Sequence, residues 1–170
     1  MKLVRYPDPV LNQRSVEVVE SDLEAIKNVI APMTKIMNEH NGIGLAAVQV
    51  GILKRFSLLN LKADPYFTKY ELPEVVLLIK PEVLEKKDPV RMQEGCLSLP
   101  LYSEFQERFA TIVVKYRDEN WAEHTREFTG LAAQCILHEI EHMDGSLLIN
   151  KDSPMKVQMY RKKLKKRGAL

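Results

Sequence analysis

The sequence predicts an α+β fold: mixed, mainly antiparallel β-sheets around a central helix, with one helix towards the N-terminus and another at the C-terminus. Three observations carry this expectation. Strand-like runs, alternating or β-branched, occupy 55–62, 75–80, 82–86, 90–93, 111–117 and 122–128, with Pro, Asp and Asn between them. Helical spacing is confined to the segments before and after these runs. Strands grouped together, rather than alternating with helices, are the pattern of an α+β domain. No repeat, low-complexity tract or long linker divides the 170 residues, so residues 1–170 are expected to form one domain.

In chain order, residues 5–16 contain Tyr6-Pro7-Asp8-Pro9 and read as a turn-rich entry. Ser21 and Glu24 have the spacing of a capping box. Behind them Leu23, Ile26, Val29, Ile30, Met33, Ile36 and Met37 recur at helical spacing, and Asn41-Gly42 is a stop signal. Pro32 is expected to kink or divide this helix near residue 31. Residues 43–51 are small, apolar and bracketed by glycine, and 65–73 read as a loop. A helix is predicted over 131–143, with Leu131, Cys135, Ile136, Ile140 and Met143 as its buried positions. A last helix over 153–167 opens at Ser153-Pro154, a cap followed by proline at the first helical position.

The apolar fraction of 45% and charged fraction of 28% are those of an ordinary soluble globular protein. No apolar run approaches the length of a membrane span, and Met1-Lys2-Leu3-Val4-Arg5-Tyr6-Pro7 lacks an apolar leader core. A cytoplasmic location follows as the default, with no membrane or DNA partner. The net charge of +2 hides an asymmetry: seven of the 25 Lys and Arg lie within 155–170, which holds no acid, so the rest of the chain is acidic. Met155, Met159 and Leu164 are expected to hold this basic helix to the body. Two cysteines, Cys96 and Cys135, leave a disulfide open by count, but a reducing compartment favours free or metal-bound thiols.

Chemistry concentrates in His138-Glu139-Ile140-Glu141-His142, an H-E-x-x-H pattern. On a helix His138 and His142 lie one turn apart and point the same way, forming half of a metal site. Glu139 is about 100° around the helix from His138, placed to reach a water beside the metal rather than the metal itself. A third ligand has to come from elsewhere. The downstream histidine of the longer protease motif would fall at Leu148, and only Asp144 and Asp152 follow as acids. Cys135 shares the face of His138 but stands about 10.5 Å along the axis from His142, too far for one ion to bond both. Cys135 therefore reads as a small buried residue, and Cys96, after a strand and beside Gly95, becomes the favoured third donor. Three protein ligands leave one position open, as catalytic rather than structural sites do.

Three segments in order, Gly42-Ile43-Gly44-Leu45-Ala46-Ala47-Val48-Gln49, Glu94-Gly95-Cys96-Leu97-Ser98 and His138–His142, resemble the motifs of the peptide deformylases. The intervals match as well, and the resemblance covers roughly residues 5–150. It implies a hydrolase that removes the N-formyl group from the methionine of nascent peptides. It implies one divalent ion on Cys96, His138 and His142, typically Fe(II), with Zn, Ni or Co as possible occupants. Glu139 would take the proton of the attacking water and pass it to the leaving amine. Gln49 and the backbone N–H of Leu97 would stabilise the oxyanion. Gly42 and Gly44 bare a strand edge on which an extended peptide can pair. Ile43, Gly44 and Gly95 would line the groove, and Leu131, Gln134 and Cys135 would wall the methionine pocket, where Gln134 is unexpectedly polar.

Three positions depart from the family pattern. Glu141 replaces the usual Asp, and a structural consequence away from the ligands is expected there. Ser103 stands where many members carry arginine, which bears on substrate affinity, and Pro32 is unusual in the first helix. Two other functional classes compete: a zinc peptidase cutting peptide bonds, and a non-catalytic binding protein with this fold. The C-terminal helix has two open readings, a solvated amphipathic helix or a segment that docks on ribosomal RNA through phosphate contacts.

Overall fold

The computed structural model describes residues 1–60 and 73–168. Five strands form one antiparallel sheet in sequence order: β1 (Gly44–Ala46), β2 (Phe56–Leu59), β3 (Val76–Cys96), β4 (Leu99–Arg117) and β5 (Glu123–Thr129). Three α-helices accompany it among the described residues: α1 (Leu23–Glu39), α2 (Gly130–Met143) and α3 (Pro154–Lys166). The loop expected over 65–73 lies, except for Pro73, outside the described residues.

The sheet is buried on two sides, which explains why its central strands lack a polar face. Phe56 and Leu58 of β2, with Leu77 and Ile79 of β3, pack against Ile26, Met33 and Met37 of α1. The intervening Leu59, Val76 and Leu78 point the other way, joining Ile112, Val114 and Phe128 against Ala132, Ala133 and Ile136 of α2. Alternation with a period of two thus feeds two separate cores. In the C-terminal helix, Tyr160 and Leu164 pack with Leu99, Leu11 and Leu148. Met155 and Met159, expected to touch the body, are instead exposed, because the buried stripe of α3 runs through 157, 160 and 164.

The runs 75–80, 82–86 and 90–93 are one strand rather than three. Pro81 and Pro89 do not interrupt it: beyond Ile79, β3 pairs only with β4, so each proline sits on an edge, and register shifts between Ile79 and Glu82 accommodate the first. The strand expected at 111–117 begins twelve residues earlier, at Leu99. Its first half inverts the usual pattern: Gln106 and Arg108 are buried, while Leu101 and Phe105 are about half exposed. No apolar alternation marks such a segment.

Pro32 does not divide α1. A proline in a helix interior costs about 3 kcal/mol. Ile26, Met33, Ile36 and Met37 are buried on the inner face, and each contributes roughly 1.5–3 kcal/mol. Packing wins. The Ser21–Glu24 capping box is not formed either; Ser21 lies in a 3-10 turn, and the Asp22 carboxylate accepts from the Val19 N–H instead. The stop at Asn41-Gly42 is a Schellman closure: the Gly42 N–H donates to the Met37 carbonyl at 2.8 Å and the Asn41 N–H to Asn38 at 3.1 Å. Asn41 takes the left-handed conformation, φ +54°.

Candidate metal centre

Cys96 is the last residue of β3, and Leu97-Ser98 turn the chain into β4. Helix α2 crosses the sheet so that His138 and His142 face this turn. Cys96 Sγ lies 3.2 Å from His142 Nε2, which in turn lies 3.1 Å from His138 Nε2. The three donor atoms all fall within 4.8 Å of one another. Ligands of a tetrahedral ion at ordinary bond lengths stand roughly 3.3–3.7 Å apart, so the triangle fits a single metal ion with little movement. Burial and the neighbouring His138 push the pKa of His142 well below the usual imidazole value, which suits a neutral ligand.

Glu139 is 3% exposed, its Oε2 buried and without a hydrogen-bond partner among the described residues. Burial pushes its pKa up to about 7. Gly44 makes room for it. A Cβ at that position would stand under 3.0 Å from both Glu139 Oε1 and Cys135 Sγ. Burial first, then the Glu139 charge, hold the Cys135 thiol well above its ordinary pKa, and its Sγ is not among the converging donor atoms.

Gln49 is fixed from both ends of its amide. Its Oε1 accepts from the Ala46 N–H at 2.8 Å, and its Nε2 donates to Ser98 Oγ at 3.2 Å while lying 3.8 Å from Cys96 Sγ. Ser98 Oγ passes the bond on to the Val4 carbonyl at 2.8 Å, so the N-terminal segment braces the same corner.

One cavity, of about 660 Å³, opens onto these groups. Ile43, Gly44, Gln49, Gly95, Cys96, Leu97, Leu131, Gln134, Cys135, His138 and Glu139 all line it. His142, 1% exposed, lies behind them. Leu131 corrects the expectation of a buried residue: it is 42% exposed, at the cavity rim. Ser103 also lines the cavity, and its Oγ accepts from Gln93 Nε2 at 3.2 Å.

One contributor escaped sequence reasoning. Arg108, 4% exposed, donates from Nε and Nη2 to both oxygens of Glu94 at 2.6 and 2.8 Å. Its Nη1 and Nη2 also reach both oxygens of Glu141, at 2.8 and 2.9 Å. Glu94 Oε2 then meets His138 Nδ1 at 3.2 Å. Burial alone would raise the Glu94 pKa, but the hydrogen bonds from His138 and Arg108 outweigh it and hold the carboxylate at about 2. A carboxylate so held fixes the ring orientation that a ligating histidine needs. The longer Glu141 thereby finds its use: it joins Arg108 to Lys151, whose Nζ lies 2.7 Å from Glu141 Oε1. The signal was the unexplained extra methylene of Glu141; nothing marked Arg108 itself.

Two imidazoles and a thiol converging at a spacing that fits one ion, with a buried carboxyl group alongside and a cleft in front, suit a metal-dependent hydrolase. Known proteins narrow the class. The family model for polypeptide deformylase matches residues 1–158. A peptide deformylase of Thermodesulfovibrio yellowstonii is 38% identical over 165 residues, 97% of this chain and 96% of that protein. The crystal structure of a peptide deformylase from Legionella pneumophila superposes with a TM-score of 0.86 at 31% identity, covering 98% of this chain and 94% of that one. That of the Ehrlichia chaffeensis enzyme in complex with actinonin gives 0.86 at 32%, covering 98% and 96%. The chain belongs to the polypeptide deformylase family.

Proposed function

We propose that this protein hydrolyses the N-formyl group from the N-terminal methionine of nascent polypeptides, releasing formate. The convergence of Cys96, His138 and His142 beside the buried Glu139 carries the reading. These three residues would hold one divalent ion, with Fe(II) the proposed native occupant and Zn, Ni or Co able to take the same donors. When bound, the ion supplies Lewis acidity that lowers the pKa of water and polarises the formyl carbonyl. Glu139, buried beside the three donors, takes a proton from the attacking water and returns it to the departing amine. Gln49 Nε2 and the Leu97 N–H donate to the oxygen on which negative charge develops. Because Gln49 is already held through Ala46 and Ser98, its donation requires little reorganisation during the reaction. The peptide lies along the Ile43–Gly44 edge and beside Gly95, with the methionine side chain between Leu131, Gln134 and Cys135.

A formyl-Met-Ala-Ser assay separates the rival activities. Formate release without free methionine supports deformylation; free amino acids without formate would establish a peptidase. Absence of any turnover by the metal-loaded protein would leave the binding-protein reading in its place.

The working compartment is the cytoplasm; among the described residues no helix is long and apolar enough to cross a membrane. We further propose that α3 docks on ribosomal RNA. Lys162, Lys165 and Lys166 are exposed, while Tyr160 and Leu164 hold the helix to the body. Replacing Lys162, Lys165 and Lys166 with glutamate leaves those anchors in place and is expected to abolish co-sedimentation with ribosomes at low salt. Unchanged association would sink the docking idea.

A further inference from the structure

The wall that faces the first side chain of the substrate is not uniformly apolar. Gln134 lines the cavity from α2, next to Cys135, and is only 6% exposed. Among the described residues its amide makes one hydrogen bond, a long one of 3.5 Å from Nε2 to the Gln93 carbonyl. A carboxamide carries two N–H donors and an acceptor oxygen. One donor and the oxygen are therefore left without a protein partner, on a side chain more than nine-tenths buried. A substrate side chain that fills the pocket removes water from these groups, and whatever it cannot hydrogen-bond it leaves unmet at a cost. An all-carbon side chain offers nothing, and the thioether of methionine is only a weak acceptor. The sulfoxide of oxidised methionine has the same chain length and a strong acceptor oxygen where the thioether had none.

We propose that Gln134 makes the pocket selective for a first side chain that accepts a hydrogen bond, so that N-formyl-methionine sulfoxide peptides are substrates of this enzyme. The inference rests on the deformylase reading and extends its substrate class. The reaction is the same hydrolysis: water oxygen bonds to the formyl carbon, the carbon–nitrogen bond breaks, and a proton passes to the amine. Formate and a methionine sulfoxide peptide result, with the sulfoxide unchanged. Leu131 and Cys135 still receive the methylene stem. The remaining N–H of Gln134 donates to the sulfoxide oxygen.

The test compares kcat/KM for formyl-methionine-sulfoxide-Ala-Ser with that for formyl-norleucyl-Ala-Ser, within each of three metal-loaded enzymes: wild type, Gln134→Leu and Gln134→Met. Taking the ratio inside each enzyme cancels any general loss of activity. The wild-type ratio is expected to exceed that of both variants roughly tenfold or more, since a site built to hydrogen-bond rejects an analogue that cannot. Equal ratios in all three would overturn the assignment. Calorimetric binding of the deformylated tripeptides, which needs no turnover, should rank them the same way. A preserved ranking with no formate release from any peptide would bring down the deformylase reading while leaving Gln134 as the selector; no ranking with normal formate release would do the reverse.

Discussion

Replacing Glu139 with alanine or glutamine is expected to reduce formate release by about 10²–10⁴-fold in kcat, the usual contribution of a general acid–base group. KM should change little, because in the proposed reaction Glu139 meets the water and amine rather than the peptide. Metal content should be retained, since the ligand set does not include it. Stability offers an independent check. A carboxyl group whose folded pKa is raised to about 7 from 4.5 costs the metal-free protein stability as pH rises through that interval. Glu139→Gln removes this cost, so the metal-free variant should gain on wild type as pH rises from 4.5 to about 7 in denaturant titrations. A variant that turns over normally would remove Glu139 from its role. One that is inactive but has lost its metal would place the residue among the ligands instead.

Arg108→Met should have the largest effect on folding. Arg108 binds both Glu94 oxygens and both Glu141 oxygens. Its loss leaves two carboxylates facing each other, one of them 5% exposed. Breaking a buried pair from one side typically costs about 3–5 kcal/mol. Lys151 can still offset Glu141, at 45% side-chain exposure, but it does not reach Glu94. Glu94 would then rise in pKa, release His138 and weaken the metal centre, by roughly 10–100-fold in affinity. Adding Glu94→Gln to Arg108→Met should recover part of the stability but not the metal affinity, because the amide no longer anchors the imidazole as a carboxylate does. Full recovery of both would show that Arg108 acts only through folding.

How much of this was legible in the sequence depended on where polar residues faced. The C-terminal end of α1, at Asn41-Gly42, and the start of α3, at Ser153-Pro154, were set by local chemistry, and both were readable. The central strands were readable too, since two flanking cores demanded apolar residues on both faces of 56–59 and 76–79. The first half of β4 was hidden because its inward positions carry Gln106, which accepts from Lys151, and Arg108, which meets Glu94 and Glu141, instead of filling an apolar core. Pro81 and Pro89 falsely divided β3, because edge position is a tertiary fact that residue type does not encode. In the site, spacing led from His138 and His142 to Cys96 by the reach of one ion, and the structure brings all three together. Arg108 was unreadable for the same reason as its strand. A lone arginine in a polar stretch announces a partner only once Glu94 and Glu141 are seen to converge on it.

Cys96, His138 and His142 are expected to hold the one metal ion on which formate release depends. Metal content and formate release from formyl-Met-Ala-Ser, measured on the same anaerobic preparations of wild type and Cys96→Ala, test this most directly. Wild type should carry one ion per chain and release formate, and the variant should lose the ion and turnover together. A variant that keeps one ion per chain and wild-type turnover would contradict the account.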